Sequence, residues 1–269
     1  MSDVIAEEPH FIAERDGHIL TVTLNRPAAK NAFSPTMLVG VADAWKTLND
    51  DPELRVGILT GAGGDFCSGM DLKALAAGFS DEEMARMAED PDLHWKALLR
   101  HGRPNKPIIA AVEGYCVAGG TEILQATEIR VAGESAQLGI AEVRRGLFPL
   151  GGSTVRLQRQ IAFTNAADLL LTGRLISAQE AKEIGLIGHV VPDGQAMAKA
   201  RELAEMIAEN GPLAVAAVLK SMRETAAMSE ADGLAHELTI GEPIIFNTND
   251  AKEGPRAFKE KRKPNFTGT

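Results

Sequence analysis

Glu122 and Glu142 stand twenty residues apart, and each closes an apolar, glycine-bearing run. The first ends Ile108-Ile109-Ala110-Ala111-Val112-Glu113-Gly114-Tyr115-Cys116-Val117-Ala118-Gly119-Gly120-Thr121-Glu122, the second Ala136-Gln137-Leu138-Gly139-Ile140-Ala141-Glu142. A carboxylate carried into apolar surroundings loses hydration, so its charged form is disfavoured and its pKa rises toward neutrality, where it exchanges protons readily. Two such groups in one site can divide acid and base work. Taken alone, Glu142 reads as a surface or ion-paired residue beside Arg144 and Arg145. Its relation to Glu122 is what makes it a candidate.

Two turns can serve such a pair. In Phe66-Cys67-Ser68-Gly69-Met70-Asp71-Leu72 a strand exits through glycine into a helix headed by Asp71, and Ala118-Gly119-Gly120-Thr121-Glu122 repeats that order. Amides at the start of a helix have no intrahelical acceptor and can face an anion or a polarised carbonyl, while glycine admits close approach of a ligand. One amide from each turn would make an oxyanion hole, with Glu122 one helical turn away. Either turn alone reads as an ordinary capped strand-to-helix connection. Other chemistries lack their signatures. Gly61-Ala62-Gly63-Gly64-Asp65-Phe66 fails the dinucleotide fingerprint, since Phe66 stands where the third glycine belongs, and P-loop, HExxH, CxxC and GxSxG patterns are absent. The six histidines fall at no ligand spacing, and Ser68 has no evident base.

The elements that must position these residues alternate. His18 to Leu24, Arg55 to Thr60, Pro107 to Val112 and Ile129 to Ala132 read as strands. Ser34-Pro35 starts a helix running to about Asn49, with serine as N-cap and proline at the first position. Asp71 to Arg100 reads as helix broken around Gly78 and Pro91, and Thr121 to Gln125 starts another. After Ala166 helical patterns dominate, at 166–172, 178–184, 195–209, 212–228 and 231–240, interrupted by the strand His189-Val190-Val191. Strands alternating with helices argue for an α/β core with parallel pairing, followed by a helical appendix. The 269 residues are 45% hydrophobic, enough for one large core or two small ones, and net charge is −9. That balance argues against nucleic acid as a partner, and Lys259-Glu260-Lys261-Arg262-Lys263 is too short and mixed to reverse it, reading as a solvated tail or a local anion contact. Two cysteines give no disulfide framework, residues 1–14 are acidic rather than leader-like, and no apolar stretch reaches spanning length. The expectation is a soluble, cytoplasmic protein that binds no membrane.

At these residues the sequence resembles the enoyl-CoA hydratase/isomerase (crotonase) superfamily, over about residues 10 to 266. Asn25-Arg26-Pro27 with Asn31-Ala32-Phe33, the segment 66–72, the segment 110–122, Leu171-Thr172-Gly173-Arg174 through Ala178-Gln179-Glu180-Ala181, and Ala257-Phe258-Lys259-Glu260-Lys261-Arg262 carry the likeness. The resemblance implies an α/β fold, the ClpP/crotonase-like spiral of ββα units, over residues 1–195, with a C-terminal helical trimerisation region at 196–269. It implies an acyl-CoA thioester substrate, no cofactor or metal beyond the coenzyme A the substrate carries, and a homotrimer or dimer of trimers. Glu122 and Glu142 would be catalytic, and the amides of Ser68 and Gly119 the oxyanion donors. Arg26, Ala28, Ala29, Ala32, Gly69, Met70, Asp71, Leu72, Phe258 and Lys261 would line the coenzyme A, with residues 73–103 along the acyl group.

Because both glutamates are present, the resemblance favours hydration of a trans-2-enoyl-CoA to a 3-hydroxyacyl-CoA, in fatty-acid or steroid side-chain oxidation. Glu122 would take a proton from water and Glu142 would deliver one beside the carbonyl. A 3,2-enoyl-CoA isomerase needing only Glu142, and a non-catalytic acyl-CoA binder, are the alternatives. Two departures bear on the loop beside the water. Ala141 stands where members often have proline, and Gly146-Leu147-Phe148-Pro149-Leu150-Gly151-Gly152 is one residue shorter than usual. That loop, with Gly152-Ser153-Thr154-Val155-Arg156-Leu157, is similar to hydratases of bacterial steroid side-chain breakdown.

Overall fold

Ile19-Leu20-Thr21-Val22-Thr23-Leu24 sends alternate side chains to opposite faces, and both faces are covered. In a computed structural model that describes residues 3–8 and 10–269, ten strands are assigned among the described residues. They are β1 (Asp3–Glu8), β2 (Phe11–Asp16), β3 (Ile19–Leu24), β4 (Val56–Gly61), β5 (Ile108–Val112), β6 (Tyr115–Val117), β7 (Ile129–Gly133), β8 (Gln137–Gly139), β9 (Ile176–Ser177) and β10 (His189–Val191). Seven form one sheet in the order β1-β2-β3-β4-β5-β7-β10, antiparallel from β1 to β3 and parallel from β3 to β10. The other three form a small sheet, β6-β8-β9. Of the acidic stretch at 1–14, residues 1, 2 and 9 lie outside the described residues, and the others begin the β1–β2 hairpin.

One face of the large sheet carries Leu20, Val22, Leu24 and Leu59 against the helix Pro35–Asp50. That helix starts as its sequence dictates: the Ser34 side chain accepts from the N–H of Met37, and Pro35 occupies the first turn. Met37, Val41, Trp45 and Leu48 are buried on its inner stripe, and the Trp45 indole N–H donates to the carbonyl of Ala97 at 3.0 Å. Each such buried side chain contributes roughly 1.5–3 kcal/mol. The opposite face presents Ile19, Val56, Ile58, Ile109 and Val131 to the helix Ala196–Ala208, whose Ala196, Ala200 and Ala204 let it lie close. This helix therefore packs with the α/β layers. The helices Pro212–Thr225, Glu230–Asn247 and Asn249–Glu260 follow. No helix of the described residues is long and apolar enough to cross a membrane.

Candidate active site

The small sheet explains how residues distant in sequence converge. β6 and β8 run parallel, with Tyr115 opposite Gln137, Cys116 opposite Leu138 and Val117 opposite Gly139. Cys67 extends the set on the other side of β6 by a parallel bridge to Cys116, its N–H donating to Tyr115 and its carbonyl accepting from Val117, at 2.8 and 2.9 Å. Three parallel segments thus end together. Beyond their carboxyl ends come, in turn, Ser68-Gly69-Met70, Ala118-Gly119 with the helix Gly119–Leu124, and Ile140-Ala141-Glu142. Such ends are where open α/β sheets place their ligands. Thr121, fully buried, pins this corner: its hydroxyl donates to the carbonyls of Cys116 and Gly139 at 2.5 and 2.9 Å.

Glu122 lies in the first turn of its helix and is 5% exposed. Burial raises its pKa, opposed by backbone N–H groups of Ser153 and Gly151 and by the charge of Arg156. The Ser153 bond measures 3.3 Å. Gly151 packs so tightly that a Cβ there would stand 2.5 Å from Glu122 Oε2. Arg156 braces the same corner from behind, donating to the carbonyls of Gly151 at 3.2 Å, Glu122 at 3.5 Å and Leu99 at 2.6 Å. Gly151, Ser153 and Arg156 position Glu122, a role their sequence signals only through the short loop at 146–152, because nothing in the sequence marks the helix Ser153–Gln160 that carries two of them.

Glu142 opens a 3-10 turn, Glu142–Arg145. Burial pushes its carboxyl up to about 7, its own backbone N–H opposes the rise, and the charge of Glu122 adds to it. Its Oε2 is buried and has no hydrogen-bond partner among the described residues. Arg144 and Arg145 form no ion pair with it: the structure brings Glu142 toward Glu122 instead. Both carboxylates are therefore desolvated at the same corner, and the charge of Glu122 is felt at Glu142.

The two glycine turns touch. A Cβ on Gly69 would stand 2.9 Å from Ala118 Cβ and 3.2 Å from the amide nitrogen of Gly119. Gly69 has φ +98°, and Ala118 is held at φ 52°, ψ −125°, a conformation that side-chain-bearing residues rarely adopt. The amide of Ser68 is not available as a donor, because it already donates to the carbonyl of Lys30 at 3.0 Å. Among the described residues, the N–H groups of Met70 and Gly119 have no acceptor. The free donor in the first turn is therefore Met70, two residues on from the expected one.

The turn at 26–32 locks onto this corner. Arg26 donates to the carbonyl of Ala32 at 2.6 Å and pairs with Asp71 at 2.8 Å, and Asp71 caps the helix Leu72–Ala77 through the N–H groups of Lys73 and Ala74. Those N–H groups and Arg26 hold the Asp71 carboxyl below its usual range. Phe33 pairs with the Gly69–Asp71 backbone. The Ser68 hydroxyl donates to the carbonyl of Ala29 at 3.3 Å. The fully buried Asn31 clamps the turn to the carbonyls of Ala62 and Asp65. Arg26, Ala29, Ala32 and the 69–72 segment are thus gathered, and Ala28 lies within the same turn. Phe258 and Lys261 sit at the end of the last helix, with no hydrogen bond or ion pair to this cluster among the described residues.

Comparison with known proteins agrees with this geometry. The family described as Enoyl-CoA hydratase/isomerase matches residues 14–269. The chain is 57% identical over 258 residues to "Enoyl-CoA hydratase EchA19" of Mycobacterium tuberculosis (strain ATCC 25618 / H37Rv), covering 96% of each chain. It is 36% identical over 264 residues to the carnitinyl-CoA dehydratase of Salmonella typhi, covering 94% of this chain and 97% of that one. Among solved structures, enoyl-CoA hydratase EchA1 of Mycobacterium marinum superposes with a TM-score of 0.89 at 44% identity, over 97% of this chain and all of that one. With its α/β crotonase fold, the chain is an enzyme of the enoyl-CoA hydratase/isomerase family.

Proposed function

We propose that the enzyme hydrates a trans-2-enoyl-CoA, adding water across the 2,3 double bond to give a 3-hydroxyacyl-CoA. The observation that carries this reading is the placing of two desolvated carboxylates, one with a buried unpartnered oxygen, at one end of the small sheet, beside two turns with free amides. The thioester oxygen accepts from the N–H groups of Met70 and Gly119 as enolate charge develops, each donor contributing about 3–4 kcal/mol to the transition state. Glu122, held by Ser153, takes a proton from water as its oxygen attacks C3. Glu142, protonated toward neutral pH, delivers a proton to C2. Water supplies both the hydroxyl and, through the pair, the hydrogen, so no electron acceptor is needed.

Arg26, Ala28, Ala29, Ala32 and the Gly69–Leu72 backbone take the coenzyme A, and Phe258, 87% exposed, with Lys261 receives its adenine and 3′-phosphate. Leu147, Phe148 and Leu150, all exposed on the loop after Glu142, fit a bulky apolar acyl group such as a steroid side chain with its rings. The apolar surface on the helices Pro212–Thr225 and Glu230–Asn247, including Met222 and Leu238, supports assembly as a trimer or a pair of trimers.

Loss of the conjugated-enoyl absorbance on mixing enzyme with linear and steroid-derived trans-2-enoyl-CoA thioesters tests the reading. Hydration of at least one, with the higher kcat/KM on the bulky thioester, is expected. Conversion only of a 3-enoyl-CoA, surviving Glu122→Gln, would mark an isomerase. Tight binding without turnover of any thioester would mark a binder.

A further inference from the structure

Six of the chain's sixteen arginines line one cavity of about 990 Å³, although the chain carries a net charge of −9. They are Arg100, Arg103, Arg130, Arg156, Arg159 and Arg223, and Glu128 is the single carboxylate in the lining. Glu128 pairs with both Arg103 and Arg223 at 2.7 Å, which leaves five positive charges in excess. Backbone carbonyls hold the inner arginines as well. Arg130 donates to Leu186, Gln125 and Thr127, Arg103 to Ala126, and Arg223 to Pro104.

Carbonyls orient a guanidinium but do not cancel its charge. The buried Nε–H groups of Arg103, Arg130 and Arg223 have no acceptor among the described residues, and neither does Gln125 Oε1, on a side chain 1% exposed, have a donor. Unmet donors of this kind are costly to bury unless an anion receives them. At the cavity's mouth Arg159 is exposed, and Arg100 stacks over Trp95 at 4.8 Å. None of these arginines belongs to the turn assigned to coenzyme A.

We propose that this cavity is a second binding site, for a small polyanion with phosphate-type oxygens, separate from the thioester site. Several oxygens on one compact ligand match several fixed guanidinium forks, and the volume suits a ligand of pyrophosphate to nucleotide size. The free Oε1 of Gln125 would accept from a protonated oxygen of the same ligand. Arg156 faces the cavity and also donates to the carbonyl of Glu122, so one side chain joins the two sites.

Titration calorimetry of the full chain with pyrophosphate and with inorganic phosphate, at ionic strength fixed by potassium chloride, tests this. Saturable binding is expected, tighter for pyrophosphate. The double variant Arg100→Gln/Arg159→Gln, altered only at exposed positions, should weaken the Kd about tenfold or more. Lys46→Gln, on the distant helix Pro35–Asp50, should leave it unchanged. Equal binding by the double variant would place the anion elsewhere, for instance at the coenzyme A turn, and overturn the proposal. No saturable binding, or no binding together with a fall in sedimenting mass for the double variant, would overturn it too, the second marking a contact between copies of the chain.

Discussion

Glu142 pairs a buried, unpartnered oxygen with a carboxyl pushed up to about 7, and this couples its chemistry to stability. An unfolded glutamate releases its proton near ~4.3, so between that value and about 7 the folded chain binds more protons than the unfolded one. Stability from this group is whole below pH ~4.3 and falls as pH rises through about 7. Glu142→Gln is therefore expected to raise Tm at pH 8, by a stability gain on the order of 1–2 kcal/mol after solvent screening, and to change it little at pH 4. An equal shift at both pH values would show that the buried charge is not the cause. The same elevation predicts that kcat/KM for hydration falls on the alkaline side of about pH 7, where Glu142 loses the proton it must deliver.

At the scale of elements, the oxyanion corner depends on two glycine turns in backbone contact. Gly69→Ala forces a Cβ to 2.9 Å from Ala118 at φ +98°, and is expected to cost about 1–3 kcal/mol of stability and ~10²–10³ in kcat. Ser68→Ala retains the bond from its amide to Lys30 and should leave kcat within about threefold. Stopped-flow kinetics and thermal melts on the two variants check both, and an unchanged kcat in Gly69→Ala would contradict the dependence of the oxyanion corner on that backbone contact. The sequence made the glutamates, the glycines and the long strands legible, since helix capping at Ser34 and alternation in β3 and β4 are local signals. It could not tell which amide of the first turn is free, because the acceptor that occupies Ser68 comes from Lys30, on another turn. Nor could it show the convergence itself: β6 and β8 have three residues each, too few to display a period, and only their register brings Val117 beside Gly139.

For the whole molecule, the two-faced sheet supplies rigidity and the last three helices supply surface. Helix Ala196–Ala208 reads as part of a helical appendix in sequence because its small residues carry no sign of what they cover; only the sheet beneath them reveals it. On the helices that follow, Val218, Met222, Leu234, Leu238, Ile245 and Phe246 are each more than half exposed. Apolar area of that kind marks a contact surface. Sedimentation is expected to give three or six times the 28.6 kDa chain mass, and Met222→Glu/Leu238→Glu to reduce it; a monomeric wild type would contradict this.

The paired-carboxylate mechanism is tested most directly by kcat for hydration of a trans-2-enoyl-CoA in Glu122→Gln, Glu142→Gln and the double variant. Each single change is expected to lower kcat about 10²–10⁴-fold, and the double to fall little further, because the two groups act on one water as a unit. Full activity in either single variant would contradict it.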